Sequence, residues 1–80
     1  MKENEQIRAY LASLAPPDKL QGLSDQDSLF ASGLLDSVHV FLLIGHLEKT
    51  YGISIVDHDI TPENFESIES IARYIGRRLD

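Results

Sequence analysis

The segment DSVHVFLLIGHLEKTYG, residues 36–52, contains the strongest helix signal in the chain. Asp36 is a good N-cap residue, because its carboxylate can accept hydrogen bonds from unpaired backbone N–H groups of the first turn. Gly52 suits the position after the last turn, where a left-handed backbone is common. Between them an apolar stripe repeats at helical spacing, formed by Val40, Leu43, Ile44, Leu47 and Tyr51. The segment therefore predicts a helix from Ser37 to Tyr51 with one buried face.

Helical spacing on both sides of this segment predicts two further main helices and one short helix. The first runs from about Glu3 to Leu14 and is stopped by Pro16-Pro17, which cannot continue a helix. Thr61 caps a short helix that ends near Phe65, and Ser67 caps the last helix. The apolar faces are Ile7, Tyr10, Leu11 and Leu14 in the first helix and Ile68, Ile71, Ala72, Ile75 and Leu79 in the last.

The connection from Ala15 to Asp36 is long for a compact domain and rich in turn-forming residues. We expect separated apolar residues to pin it across the core: Leu20, Leu23, Leu29, Phe30, Leu34 and Leu35. A helical turn is expected near Asp27–Ala31. No segment alternates polar and apolar residues for long, so no sheet is expected. The predicted fold class is an all-α small bundle of three main helices plus one short helix, with a long loop between the first two helices.

Length and composition narrow the possible functions. The 80 residues allow a single domain, residues 1–80, with little room for a walled active site. A formal net charge of −6 repels nucleic acid and anionic lipid, and it favours partners with basic patches. There is no cysteine, no apolar run that could span a bilayer and no signal-peptide stretch at the N-terminus. We therefore expect a cytoplasmic protein without disulfides or membrane insertion.

Ser37 lies in the first turn of the predicted 37–51 helix, and the apolar Val38 beside it places Ser37 at the rim of the core. Backbone N–H groups at a helix N-terminus are unpaired, and the helix dipole places partial positive charge there. A phosphodiester on Ser37 would therefore be favourable. Asp-Ser pairs also begin many helices simply because both residues cap well, so spacing alone leaves a purely structural role open.

The stretch from Phe30 to Tyr51, with Gly33-Leu34-Leu35-Asp36-Ser37 at its centre, resembles the acyl carrier protein and peptidyl carrier protein family. The resemblance extends to Ser67-Ile68-Glu69-Ser70-Ile71-Ala72 and to the order of the helices. It implies that a phosphopantetheinyl transferase attaches 4′-phosphopantetheine from coenzyme A to Ser37, with Asp36 as part of the motif. It also implies that the arm holds an acyl or aminoacyl thioester, supplied by a loading ligase and used by downstream transferases or synthases. The protein would then be a monomeric carrier and not an enzyme.

The exposed side of the 37–51 helix departs from the pattern of fatty acid carriers, in which acidic residues follow the motif. Here Glu48 is the only acid between Asp36 and Asp57, which predicts a free-standing carrier of a specialised pathway. The expected partner-binding residues are Val38, Leu42, Gly45 and Glu48. A cargo pocket would be drawn from Phe41, Leu43, Ile44, Leu47, Ile55, Phe65, Ile68 and Ile71. The alternative is an unmodified helical adaptor that docks the exposed face of this helix into a partner.

The acidic and histidine residues do not match a known type of metal site. Asp57-His58-Asp59 begins like a calcium loop, but Pro62 and Ile68 stand where an EF-hand needs Gly and Glu. His39 and His46 are two helical turns apart, with no carboxylate to complete a zinc site. No metal is therefore expected, and His39 is instead a candidate partner for the phosphate of the arm.

Overall fold

The computed structural model describes residues 2–14 and 17–79. The helices are α1 (Lys2–Leu14), α2 (Pro17–Leu20), α3 (Ser37–Tyr51), α4 (Pro62–Phe65) and α5 (Ile68–Leu79), with a 3-10 turn at Asp57–Asp59. No strand occurs in those ranges, and none of their helices is both long and apolar enough to cross a membrane. The prediction of an all-α bundle with three main helices is confirmed.

The helix ends follow the capping residues. Side chains accept backbone N–H groups at the starts of α3, α4 and α5, and these caps are Asp36, Thr61 and Ser67. Gly52 ends α3 with a left-handed φ of 67°, and its N–H donates to the Glu48 carbonyl at 2.9 Å. A side chain with a Cβ is disfavoured in that conformation, which is why glycine fits here.

The core lies where α1 packs on α5 and α3, with α4 packed on α5. Its fully buried side chains are Ile7, Leu11, Leu29, Leu34, Leu43, Leu47, Phe65, Ile68, Ile71 and Ile75. The prediction for Leu79 is wrong: it is 50% exposed, because it occupies the last position of α5. Tyr74, which the stripe omitted, is buried and packs its ring against Phe65 at a centroid distance of 5.5 Å.

The long connection is pinned to the bundle, as expected, but it is not all loop. Residues 17–20 form α2, which the sequence analysis did not predict. The expected helical turn is closed by a hydrogen bond from Ser32 N–H to the Ser28 carbonyl at 3.1 Å. The predicted effect of Pro16 on α1 lies outside the described residues.

Two backbone hydrogen bonds attach the connection to the start of α5. Leu29 N–H donates to the Glu66 carbonyl at 2.7 Å, and Glu69 N–H donates to the Asp25 carbonyl at 2.9 Å. The Asp25 carboxylate also pairs with Arg8 of α1 at 2.7 Å, and this hydrogen bond lowers the pKa of Asp25. The segment that leads to Ser37 is thus held on two helices at once.

Candidate functional site

Ser37 is exposed at the first position of α3, on a rigidly held stretch of chain. The two residues before the cap, Leu34 and Leu35, are buried, and both of their N–H groups donate to the Leu29 carbonyl, at 3.0 and 3.1 Å. Buried anchors directly before an exposed serine fix where its hydroxyl stands. The sequence analysis placed Leu34 and Leu35 correctly as anchors, whereas Phe30 is 44% exposed.

The Asp36 carboxylate places a negative charge at this end of α3. Its Oδ1 accepts the His39 backbone N–H at 2.9 Å, and this hydrogen bond is the main cause that lowers the pKa of the Asp36 carboxyl. The His39 ring lies on the same side: its buried Nδ1 has no hydrogen bond and stands 3.5 Å from Asp36 Oδ1. His39 therefore faces the cap carboxylate through Nδ1.

Beside Ser37 lies a cavity of about 380 Å³ with mostly apolar walls. Its lining residues are Phe30, Asp36, Ser37, Val40, Phe41, Ile60, Thr61, Pro62 and Phe65. One wall of the cavity is formed by Phe30 and the start of α3, and the opposite wall is formed by residues 60–65. A group attached to Ser37 would have this cavity within immediate reach.

The cavity beside Ser37 shares few residues with the cargo pocket that the sequence predicts. Of the eight residues expected to line that pocket, only Phe41 and Phe65 line this cavity. The others are buried in the core instead: Leu43, Ile44, Leu47, Ile55, Ile68 and Ile71. Helical spacing identifies residues that face the core, but it does not indicate where the packing leaves a gap. The segment from Ile60 to Pro62, which forms one wall, carries no periodic signal at all.

An apolar patch adjoins Ser37 on the outer face of α3. It consists of Val38, Phe41 and Leu42, whose side chains are 64%, 74% and 46% exposed. The spacing of these residues, i, i+3 and i+4, places them on one helical face. Sequence reasoning named Val38 and Leu42 for this surface and assigned Phe41 to the cargo pocket. In the structure Phe41 is part of the patch and also lines the cavity beside Ser37.

The other two expected contact residues differ in environment. Gly45 is exposed, and a Cβ added there would meet nothing within 4 Å. Glu48 is half-buried, and its Oε2 accepts the Ile55 N–H at 2.8 Å. Glu48 therefore has a structural role as well, because its hydrogen bond holds the segment after α3 against the last turn of that helix.

Asp59 of the 57–59 turn and His46 are engaged in contacts within the bundle, whereas the His58 side chain is exposed. Asp59 Oδ2 accepts the Tyr74 hydroxyl at 2.7 Å, and His46 stacks on Tyr10 with ring centroids 3.8 Å apart. Across the described chain, no three His, Cys, Asp or Glu side chains are grouped as a metal site would require.

Comparison with known proteins identifies the family of this chain. The model of a family described as "Phosphopantetheine attachment site" matches residues 5–75. The chain belongs to this family. It is thus a carrier protein of a biosynthetic pathway and is not itself catalytic, and the group that the family carries is 4′-phosphopantetheine. The resemblance that Asp36, Ser37 and the helix order suggested is confirmed.

Individual relatives extend over almost the whole chain. The D-alanyl carrier proteins of Lactococcus lactis subsp. cremoris (strain MG1363) and subsp. lactis (strain IL1403) are each 29% identical over 76 residues, 95% of this chain and 95% of their own length. A chain in a solved structure described as "Crystal structure of FAD-dependent dehydrogenase" is 33% identical, with a TM-score of 0.69. The match covers 91% of this chain and 97% of that one.

The residues around Ser37 fit a phosphopantetheine group. An exposed hydroxyl, the partial positive charge of a helix N-terminus and an adjoining apolar cavity suit a phosphodiester with a carried group at its far end. When bound, the arm supplies the thiol that this cysteine-free chain lacks.

Proposed function

We propose that Ser37 is the attachment site of the arm and that the chain presents a thioester-bound group to partner enzymes of a specialised pathway. The observation that carries this proposal is the position of Ser37: exposed, at the N-terminus of α3, and lining the apolar cavity. The Asp36 cap and the buried Leu34 and Leu35 hold that position. Membership of the family supplies the chemistry of the arm.

The test is intact mass after incubation with coenzyme A and a broad-specificity phosphopantetheinyl transferase. Wild type should gain the mass of one phosphopantetheine, and Ser37→Ala should gain none. Ser54→Ala, which changes another exposed serine, is the matched control and should be modified fully. Modification of Ser37→Ala would place the site elsewhere. Failure of wild type, under conditions that modify a known carrier, would favour the unmodified helical adaptor.

The apolar patch is the proposed docking surface for the partners. Val38, Phe41 and Leu42 expose much of their surface within one turn of Ser37, and apolar surface of this kind marks interaction sites. Phe41→Ala should therefore raise the KM of the transferase for the carrier. Val56→Ala removes an exposed apolar side chain that lies outside α3 and should leave KM unchanged. An unchanged KM in Phe41→Ala would contradict this surface.

For the cargo, we propose an aminoacyl group loaded by a partner ligase. The carriers that match over 95% of the chain are named for a D-alanyl group, which supports an aminoacyl class without deciding the residue. The cavity beside Ser37 would shelter the apolar part of such a group. Intact mass of the protein purified from cells that produce it, compared before and after thioester cleavage by hydroxylamine, would give the cargo's mass. A cargo without nitrogen would contradict the aminoacyl class.

A second candidate is a carrier whose thioester-bound group is oxidised by a flavin enzyme. The similar chain in the structure described as an FAD-dependent dehydrogenase supports it, because 97% of that chain is covered by this small domain. Oxidation would remove two hydrogens from the carried group and reduce the partner's FAD. With a butyryl-loaded carrier as probe and that dehydrogenase, a loss of two hydrogens by mass and bleaching of the oxidised flavin are expected. An enzyme that reduces no flavin with this carrier would contradict the candidate.

A further inference from the structure

One wall of the Ser37 cavity is carried by α5 and not by α3. Residues 57–65 supply Ile60, Thr61, Pro62 and Phe65 to the lining, and α4, the helical part of this segment, packs on α5. The opposite wall belongs to Phe30 and α3. The width of the cavity therefore depends on how residues 57–65 are held against α5.

A cluster of three polar side chains holds this segment, and we name it the Asp59 cluster: Asp59, Tyr74 and Arg78. The Tyr74 hydroxyl donates to Asp59 Oδ2 at 2.7 Å. Arg78 Nη1 donates to the Tyr74 hydroxyl at 3.0 Å and lies 3.6 Å from Asp59 Oδ2. Tyr74 is buried, so breaking its hydrogen bond to Asp59 would leave polar atoms poorly solvated.

Neighbouring contacts tie the rest of the segment to the same part of α5. Asn64 Nδ2 donates to the Asp59 carbonyl at 2.8 Å, and Arg77 Nη2 donates to Asn64 Oδ1 at 3.0 Å. The Phe65 ring, which lines the cavity, packs on the ring of Tyr74. Both ends of the wall are thus attached to the last two turns of α5.

We propose that Asp59, acting through Tyr74 and Arg78, is a positioning residue that sets the cavity wall and so decides how firmly the carrier retains its cargo. The inference rests on the proposed attachment at Ser37 and on the cavity as the shelter of the carried group. Loosening the Asp59 cluster lets the 57–65 wall move away from α3 and exposes the thioester, although no residue of the cluster touches Ser37.

The test uses wild type and variants loaded with an octanoyl probe, by transfer from octanoyl-CoA with a phosphopantetheinyl transferase. Hydroxylamine then attacks the thioester carbonyl, giving the hydroxamate and the free thiol of the arm, and intact mass follows the loss of the octanoyl group. Tyr74→Phe should be cleaved about fivefold faster than wild type, the factor expected for loss of one net hydrogen bond. Asp59→Asn, which keeps an acceptor for Tyr74, should lie between the two.

Matched variants separate positioning from general stability. Tyr10→Phe removes the same hydroxyl from a hydrogen bond to the Leu42 carbonyl, which joins α1 to α3 and touches no wall residue. Arg78→Gln is compared with Arg73→Gln, which removes an equal charge from α5 at a contact with Glu69. An acetyl probe, too short to fill the cavity, should be cleaved at one rate in all variants.

The possible results distinguish failure of this inference from failure of the proposed function. Equal octanoyl cleavage in Tyr74→Phe and Tyr10→Phe would overturn the role of the Asp59 cluster. Wild-type cleavage as fast as that of free octanoyl-CoA would overturn the cavity as a shelter. If Ser37→Ala is the only variant that fails to be loaded, attachment at Ser37 is supported, and the cleavage rates of the other variants still test the Asp59 cluster and the cavity.

Discussion

At its N-terminal end α3 exposes Ser37, Val38 and Phe41, whereas at its C-terminal end Leu47 is fully buried and Glu48 is bound to the next segment of chain. The first end offers an exposed serine, an apolar patch and one side of a cavity. The second end packs on the core and is closed by a glycine in a left-handed conformation. The two ends of α3 thus differ in exposure, and side chains at the exposed end can change with little loss in the free energy of unfolding.

The largest expected effect compares one apolar residue from each end. Leu47→Ala should lower the free energy of unfolding by about 2–5 kcal/mol, because it leaves a cavity in a fully buried position. Phe41→Ala, with 74% of its side chain exposed, should change that free energy by no more than about 0.5 kcal/mol. Urea unfolding followed by circular dichroism measures both. Similar losses in the two variants would show that the exposed end is part of the stabilising core.

Glu48 tests how the C-terminal end is closed. Glu48→Ala should lower the free energy of unfolding by about 1–2 kcal/mol, since the N–H of the buried Ile55 loses a charged acceptor. Glu48→Gln retains a neutral acceptor and should lose about half as much. Lys49→Ala, at the exposed neighbouring position, is the control for a change of helix composition. A loss of partner affinity in Glu48→Gln without any loss of stability would instead make Glu48 a docking residue.

Replacing two glycines of this segment with alanine should change the free energy of unfolding in opposite directions. Gly52→Ala forces a Cβ into the left-handed conformation at φ 67° and should cost about 1 kcal/mol. Gly45→Ala adds a methyl group with no neighbour within 4 Å in the middle of the helix and should stabilise by about 0.5–1 kcal/mol. The shift of the urea midpoint relative to wild type gives each sign. Stabilisation by both variants would mean that α3 continues past Tyr51.

The sequence predicts the helices well because their ends are local features. Asp36, Thr61 and Ser67 cap the helices that they were expected to cap, and Gly52 follows the last turn of α3 as expected. The short α2 and the 3-10 turn were missed, since segments of four and three residues carry no periodic pattern; α4, which is equally short, was predicted from its Thr61 cap and Pro62 instead. Ser37 was placed by the same local logic, because an exposed serine after a cap depends on its immediate neighbours.

The cavity and its wall could not be predicted in the same way. They depend on contacts between residues far apart in sequence, such as Tyr74 with Asp59 and Phe65 with Tyr74. A periodic stripe identifies Ile71 and Ile75 as inward, yet it omits Tyr74, whose hydroxyl can be buried because the Asp59 carboxylate accepts its hydrogen bond. Phe41 was assigned to the cargo pocket alone, although it is 74% exposed and is also part of the apolar patch.

The smallest expected effect concerns the two carboxylates whose pKa values are lowered, Asp36 and Asp25. The His39 N–H holds the pKa of Asp36 below its ordinary value of 3.8, and Arg8 does so for Asp25. Each therefore stabilises the fold fully above its unfolded pKa, and this stabilisation is lost as the pH falls through the lowered pKa. A phosphodiester attached to Ser37, as proposed, should raise the pKa of Asp36 relative to the unmodified protein, because a like charge beside a carboxylate disfavours ionisation.

Carbon-13 NMR titration of the side-chain carboxyls, before and after attachment of phosphopantetheine, measures this shift directly. Asp25 is the internal control, because it binds Arg8 and Asn4 on α1 and should titrate identically in both forms. An increase in the pKa of Asp36 alone would show that the phosphate lies close to the N-terminal end of α3. Equal movement of both carboxylates would indicate a change of the whole fold on attachment, and the independence of the two ends of α3 would then be lost.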